Sequence, residues 1–240
     1  MKQFAIIGLD VFGRMMIEEL MNIDCEILII DKSREVIDFY RDRVTAAYVA
    51  DAINEEIIRK LVPEKIDAAI VDLGDKLEVS ILVTNYLKKM GIGTIVAKAA
   101  SEEHGEILRL VGATRVVFPN REAAKRIAPM LYSSLISSYL PISNDFVIAE
   151  VKIPPRYVGK SLIESNLRKE YQLNVIAVRK EEGEEYHFFS PEYILAVDDI
   201  FLIAGSEDKI TQFAQVEISV PFQKQNAVKG FFKKLLLRLK

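Results

Sequence analysis

Cysteine is nearly absent from this chain: Cys25 is the single thiol in 240 residues. One thiol excludes an internal disulfide framework and a cysteine-rich metal centre, and it fits a reducing compartment. Standing just before an apolar run, it reads as an inert buried or edge thiol. Histidine is almost as scarce. His104 and His187 are the two present; neither lies in a metal-ligand spacing or beside a nucleophile motif, so no metal ligand and no catalytic residue are expected. His104, next to Ser101, Glu102 and Glu103, reads as a solvated residue at a helix start. Glycine (11) and proline (8) are too few for a disordered chain. No apolar run reaches the roughly 18 residues of a membrane span. Met1-Lys2-Gln3 leads into a short apolar run cut by Asp10, without the length or cleavage site of a secretory signal. A cytoplasmic setting is the expectation. The formal net charge of -3 provides no global basic field, so nucleic acid is not an expected partner.

What the chain has in quantity is hydrophobic residues, 50% of the total, enough for real cores in one large or two small domains. Short apolar runs at residues 3–8, 26–31, 46–50, 67–73, 93–98 and 115–118 alternate with stretches of helical period. Leu77, Ile81, Val83, Leu87 and Met90 show that period, with Asp75 as the expected N-cap. Runs made almost wholly of Ile, Val, Ala and Leu imply strands buried on both faces, hence an α/β, doubly wound parallel sheet over residues 1–118. A second, smaller α+β domain is expected at 145–219, from strand-like Phe146–Ile153, Leu173–Val178, Tyr186–Phe189 and Ile200–Ala204 and a helix near Asp208–Val216. Between them, residues 119–144 read as a connector. Its helix, 121–140, carries Ile127, Leu131 and Leu135 on one side, is disturbed by Pro129 and stops at Pro141. That stripe is an expected contact between copies, so an oligomer is expected.

The first run ends in Ile7-Gly8-Leu9-Asp10-Val11-Phe12-Gly13, a strand entering a turn that keeps two of the three glycines of a dinucleotide fingerprint. The first glycine makes the bend, the second lets a pyrophosphate approach the backbone and the third lets helix pack on strand. Asp10 stands where the second would be. Asp31 closes the next apolar run about 20 residues on, where a carboxylate accepts from a ribose hydroxyl; its other reading is an N-cap for the following helix. Lys98 ends the fifth run, at the strand end where open α/β sheets bind ligands. A carboxylate about 4 Å from a phosphate costs roughly 1 to 4 kcal/mol between bulk-water and surface-like screening. Asp31, Lys32, Asp51 and Lys98 are therefore expected to hold an adenosine, with a pyrophosphate disfavoured in the standard pose unless a divalent cation bridges it to Asp10.

In order along the chain, Ile7-Gly8-Leu9, Phe12-Gly13, Ile30-Asp31, Asp51-Ala52, Val96-Ala97-Lys98, Gly112-Ala113 and Phe118-Pro119 in the first lobe, with Val158-Gly159-Lys160-Ser161-Leu162, Asn174 to Arg179 and Asp199 to Gly205 in the second, resemble the cytoplasmic regulatory subunits of the Trk/Ktr potassium-uptake family. Such subunits are single RCK units, a Rossmann-like TrkA-N lobe followed by a small TrkA-C lobe, and the likeness covers roughly residues 1 to 219. The resemblance implies an adenine nucleotide (AMP, ADP, ATP or NAD) as ligand. The candidate binding set is Gly8, Leu9, Asp10, Phe12, Gly13, Asp31, Lys32, Asp51, Ala52, Val71, Asp72 and Lys98. It also implies a ring of RCK units, homo-oligomeric or mixed with a related subunit, acting on a separate membrane potassium channel or transporter subunit at the inner face of the membrane. Some relatives bind a cyclic dinucleotide between paired small lobes through an Arg and an Asn six residues apart, the spacing of Arg168 and Asn174. The chain departs from the family where Asp10 replaces glycine, Val11 replaces a basic residue and Asn120 replaces glutamate.

Residues 220–240 form a further segment. Val228, Phe231, Phe232, Leu235, Leu236 and Leu239 share one helical stripe, with Lys229, Lys233, Lys234 and Arg238 opposite and no acid in the last eighteen residues. At about 1.5 Å per residue such a helix spans about 27 Å, and it is expected to dock on the channel subunit or the membrane surface. Three functional readings follow: a ligand-sensing regulatory subunit, a structural partner with a disabled cleft in a mixed ring, and an NAD-dependent oxidoreductase. The last lacks a poised acid or base.

Overall fold

The six apolar runs become six strands in the computed structural model, which describes residues 1–183 and 185–215. They are β1 (Lys2–Ile7), β2 (Cys25–Asp31), β3 (Ala46–Val49), β4 (Ala68–Val71), β5 (Ile95–Lys98) and β6 (Arg115–Val117). All pair in parallel, in the order β3-β2-β1-β4-β5-β6. Helices α1 (Val11–Leu20), α2 (Arg34–Tyr40), α3 (Glu55–Leu61), α4 (Leu77–Lys89) and α5 (Glu102–Val111) make the connections. The sheet is buried on both faces because successive side chains of a strand point to opposite sides. Ala5 and Ile7 enter one core with Val71, Val83, Leu87 and Leu108, while Ile6 enters another with Ile17, Ile29 and Ile37. Each fully buried Ile or Leu contributes about 1.5 to 3 kcal/mol relative to exposure. The expected doubly wound architecture is the one observed, and the strand order reverses between β1 and β4.

Helix starts differ in one place from expectation. Asp75 does not cap α4: the N-cap is Lys76, with no side-chain cap bond, and Asp75 gives only its backbone carbonyl to Leu77. Ser33 caps α2, accepting from the Val36 amide, so Asp31 is left for another task.

The chain divides into two compact units after Ala123. Helix α6 (Pro119–Tyr132) is followed by β7 (Ile136–Pro141), β8 (Val147–Lys152), the short helices α7 (Leu162–Ser165) and α8 (Leu167–Glu170), β9 (Asn174–Lys180), β10 (Asp199–Gly205) and α9 (Glu207–Phe213). The four strands form an antiparallel sheet in the order β7-β8-β10-β9. Phe201, Ile203, Ile210 and Phe213 are fully buried in its core. The expected helix over 121–140 is corrected here. It ends at Tyr132, and residues 136–141 pair with β8 instead, placing Ile136 and Tyr139 in the core. Long-range pairing outweighs the helical spacing, so Leu135 leaves the stripe and packs on that core while Ile127 and Leu131 stay exposed. Tyr186–Phe189 is not a strand either. Only His187 bridges to Val178, and Phe188 is exposed. The basic segment from Gln223 to Lys240 lies outside the described residues.

Candidate functional site

The glycine turn between β1 and α1 is built to lie against β4. Gly8 has φ +82°, and a Cβ there would stand 2.1 Å from the Asp72 carbonyl oxygen, so only glycine fits. Gly13 is equally constrained, since its Cβ would meet the Gly8 oxygen at 2.6 Å. Three carboxylates then organise the turn. Asp31 Oδ2 accepts from the Leu9 amide at 2.7 Å, and its Oδ1 accepts from Ser33 N at 2.7 Å. Asp72, fully buried at the end of β4, accepts from the Gly13 amide through Oδ2 at 2.7 Å. Asp10, the N-cap residue of α1, makes no cap bond to the helix. Its Oδ2 receives a 2.8 Å bond from Lys98 Nζ, whose other neighbour is Asp72 Oδ1 at 3.0 Å.

The charges of this cluster respond accordingly. The Lys98 ammonium holds the Asp10 carboxyl below the usual carboxylate range, against the opposing effect of burial. Burial pulls Lys98 down, but its bonds to Asp10 and Asp72 outweigh it, and its pKa is raised.

Beside the turn opens a cleft of about 490 Å³ at the C-terminal ends of β1, β2, β3 and β4, the place where an open sheet with this order binds ligands. Of the expected set, Gly8, Leu9, Asp10 and Asp31 line it, as do Lys32, Asp51, Ala52 and Asp72. Asp51 Oδ1 accepts from Ile53 N and so shapes the loop after β3. The remaining four stand elsewhere. Val71 is core, Phe12 packs on the core under α1, Gly13 lies behind the turn, and Lys98 is paired with Asp10 and Asp72. The structure adds residues the sequence reading omitted: Arg14, Ser33, Gly74 and Lys76, with Val36, Ile53 and Val79 as apolar walls. Arg14 Nε donates to the Leu9 carbonyl at 2.7 Å. The neighbouring Lys32 lowers the pKa of Lys76, and both lysines line the cleft. The omitted loop Leu73–Lys76 follows β4, and the rule that ligands meet strand ends on either side of the reversal would have found it.

His104 corrects an expectation. It is buried, not solvated: Nδ1 accepts from Ala100 N at 3.2 Å, so Nε2 carries the proton and bonds Ser80 Oγ at 2.8 Å. Ser80 in turn donates to the Leu77 carbonyl. Burial lowers the histidine's pKa. It does not line the cleft, and among the described residues no group of His, Cys, Asp and Glu could hold a metal ion. In the second unit Arg168 lies on α8 and Asn174 opens β9, both exposed.

A parallel sheet of this order with a cleft at its reversal, followed by a small antiparallel lobe, defines an RCK-type chain. The TrkA-N domain family matches residues 4–119 and the TrkA-C domain family residues 146–216. Over 214 residues the chain is 30% identical to Ktr system potassium uptake protein C of Bacillus subtilis (strain 168), spanning 88% of this chain and 96% of that one. It is 30% identical over 212 residues to Ktr system potassium uptake protein A of the same organism, spanning 88% and 95%. This chain belongs to the Ktr potassium uptake protein family, as its motifs implied. Among solved structures, the GsuK channel bound to NAD superposes with a TM-score of 0.61 at 19% identity, over 87% of this chain and 38% of that one. The chain thus spans less than half of the GsuK polypeptide, and this likeness concerns the fold.

Proposed function

We propose that this protein is a ligand-sensing regulatory subunit of a potassium-uptake system, which binds an adenine nucleotide in the first-unit cleft and works as part of an RCK ring on a membrane channel or transporter subunit. The observation that carries the reading is the cleft itself: a chain of the Ktr family places Asp31, Asp51 and apolar Val36, Ile53 and Val79 around a cavity at the strand-order reversal. Asp31 uses one lone pair on each oxygen for Leu9 and Ser33, and a carboxylate has about four acceptor sites, so a ribose hydroxyl can still be held. The binding of NAD by GsuK, a channel of similar fold, supports a nucleotide as the ligand class. Sensing requires that the ligand bind two ring states with different affinity, because equal affinity shifts nothing. The exposed Arg168 and Asn174 extend the proposal to a second ligand, a cyclic dinucleotide at paired small lobes. We assign no catalysis and a peripheral place at the inner face of the membrane. Among the described residues no helix is long and apolar enough to cross a membrane.

The test is co-expression with a membrane potassium channel or transporter subunit from the same genome, gentle purification, and mass spectrometry of the small molecules released. An adenine nucleotide should be released, and adding it should change potassium flux in proteoliposomes. A complex that carries none, and whose flux ignores all adenine nucleotides, would refute sensing. It would favour the structural-partner reading, for which the internally bonded amides of the glycine turn already speak. Turnover of NAD with pooled substrates would favour the oxidoreductase.

A further inference from the structure

A pyrophosphate in a dinucleotide fold sits on free backbone N–H groups of the glycine turn at a helix N-terminus, often with a cation nearby. Here those donors are largely spoken for. Gly8 N donates to Ile30 O at 2.8 Å, Leu9 N to Asp31, Gly13 N to Asp72, and Arg14 N to Asp10 O at 3.0 Å. The first-turn amides of Val11 and Phe12, which have no intrahelical partner by position, flank Asp10 itself. The nearest cation is engaged as well, since Lys98 bonds Asp10 and lies against Asp72. The Asp10 carboxylate also fills the space before the β4–α4 loop: a Cβ on Gly74 would meet its Oδ2 at 3.4 Å. Two carboxylates and one ammonium leave this corner with a formal charge of -1. It therefore does not fit a polyphosphate, although the adjoining cleft fits an adenosine.

We propose that Asp10 is an internal stand-in for a nucleotide phosphate, holding Lys98 and placing a negative charge at the start of α1, so that the cleft accepts adenosine bearing no more than one phosphate and rejects di- and triphosphates. The inference rests on the nucleotide-binding reading above and names the ligand class of that same site. A single phosphate still finds cations other than Lys98, because Arg14, Lys32 and Lys76 all line the cleft. Each further phosphate must approach the Asp10 carboxylate, whose partner Lys98 is already engaged, and loses affinity by Coulomb repulsion. Replacing the carboxylate by glycine returns Lys98 to the ligand and removes the negative charge beside the first-turn amides.

The experiment is titration calorimetry of adenosine, AMP, ADP, ATP and NAD, with chelator to remove divalent cations, on the full chain and on Asp10→Asn and Asp10→Gly. Melting curves confirm that each variant is folded. The full chain should bind adenosine or AMP at least tenfold more tightly than ADP, ATP or NAD. Asp10→Gly should raise ATP affinity tenfold or more while changing adenosine affinity little, and Asp10→Asn, which keeps the shape and removes the charge, should fall between. ATP binding to the full chain as tightly as AMP would overturn the proposal and leave nucleotide binding standing. So would an unchanged preference in both variants. Failure of all five ligands to bind would remove the nucleotide reading and the proposal with it.

Discussion

In the first unit the charged side chains converge on a cleft, whereas in the second they close on one another. Parallel strands end on the same edge, so the loops after β1, β2, β3 and β4 meet there, and Asp10, Asp31, Asp51 and Asp72 share a small volume with Arg14, Lys32 and Lys76. An antiparallel sheet has no such common edge. Arg179 on β9 reaches across β10 to Glu150 on β8 at 2.8 Å, both side chains mostly buried, and Tyr186 completes the group. The Arg179 guanidinium beside Glu150 holds its carboxyl below the usual range. Lys180 is similarly consumed by Asp198 and the buried Asp199, and its pKa is raised by them. The same residue types thus line an open cleft in one unit and make ties between strands in the other, and the direction of the strands separates the two outcomes.

Glycine substitution should separate the units most sharply. Gly8 and Gly159 have nearly the same backbone angle, φ +82° and +83°, but Gly8 faces the Asp72 carbonyl while nothing lies within 4 Å of a Cβ on Gly159. Gly8→Ala should cost about 4 kcal/mol or more and abolish nucleotide binding, the mark of a blocked backbone contact. Gly159→Ala should cost about 1 to 2 kcal/mol, the conformational penalty alone. Denaturant titration of both variants checks this, and equal losses would show that the close approach of turn and β4 is unimportant.

Truncating one partner of each buried charge group comes next in size. Asp72→Ala should cost about 3 kcal/mol, because it leaves the buried Gly13 amide without its acceptor and Lys98 with Asp10 as its one carboxylate. Glu150→Ala should cost about 2 kcal/mol, since Arg179 keeps its bonds to the Lys180 and Gly183 carbonyls. Asp72→Ala should also change nucleotide affinity, while Glu150→Ala leaves it unaltered. Calorimetry on both variants reads that contrast.

The smallest effect is a pH dependence carried by the first unit. Neutral His104 uses both ring nitrogens, and protonation would set a second N–H against that of Ala100. Its folded pKa lies below the ordinary value of 6.5. As pH falls below about 6.5, the unfolded chain binds a proton that the native state refuses, so stability declines until the folded pKa is passed and then levels off. The slope cannot exceed about 1.4 kcal/mol per pH unit for one group. Melting curves between about pH 7.5 and 5, on either side of the ordinary histidine pKa, should show the loss, and His104→Gln should flatten it. His187 of the second unit is exposed and offers no such buried imidazole.

Much of the first unit was legible because its signals are local. Each parallel strand is a run of apolar residues whatever its neighbours, and Gly8 and Gly13 mark the turn without knowledge of β4. Asp31 was found by its distance from that turn, although its bonds to Leu9 and Ser33 were not. The loop Leu73–Lys76 was read as a strand end and a helix cap and not as part of the site, because its importance comes from lying across the strand-order reversal. His104 was misplaced for a related reason. Its sequence neighbours are polar, but its burial is set by Ser80, on another helix. Residues 133–140 misled most plainly, since Leu131 and Leu135 keep helical spacing while the pairing partner that makes a strand of Ile136–Pro141 lies beyond a turn.

The amino-acid order by itself determined the layered α/β class, the two-lobed family and the presence of a carboxylate in the glycine turn after β1, because each follows from side-chain type and spacing. Only the tertiary structure decided what that carboxylate does. Asp10 and Lys98 are separated by 88 positions and meet at 2.8 Å, with Asp72 on the far side of the same ammonium. An ion pair depends on distance in space, and that distance was set when β5 took its place beside β4, with β4 beside β1, in a parallel sheet.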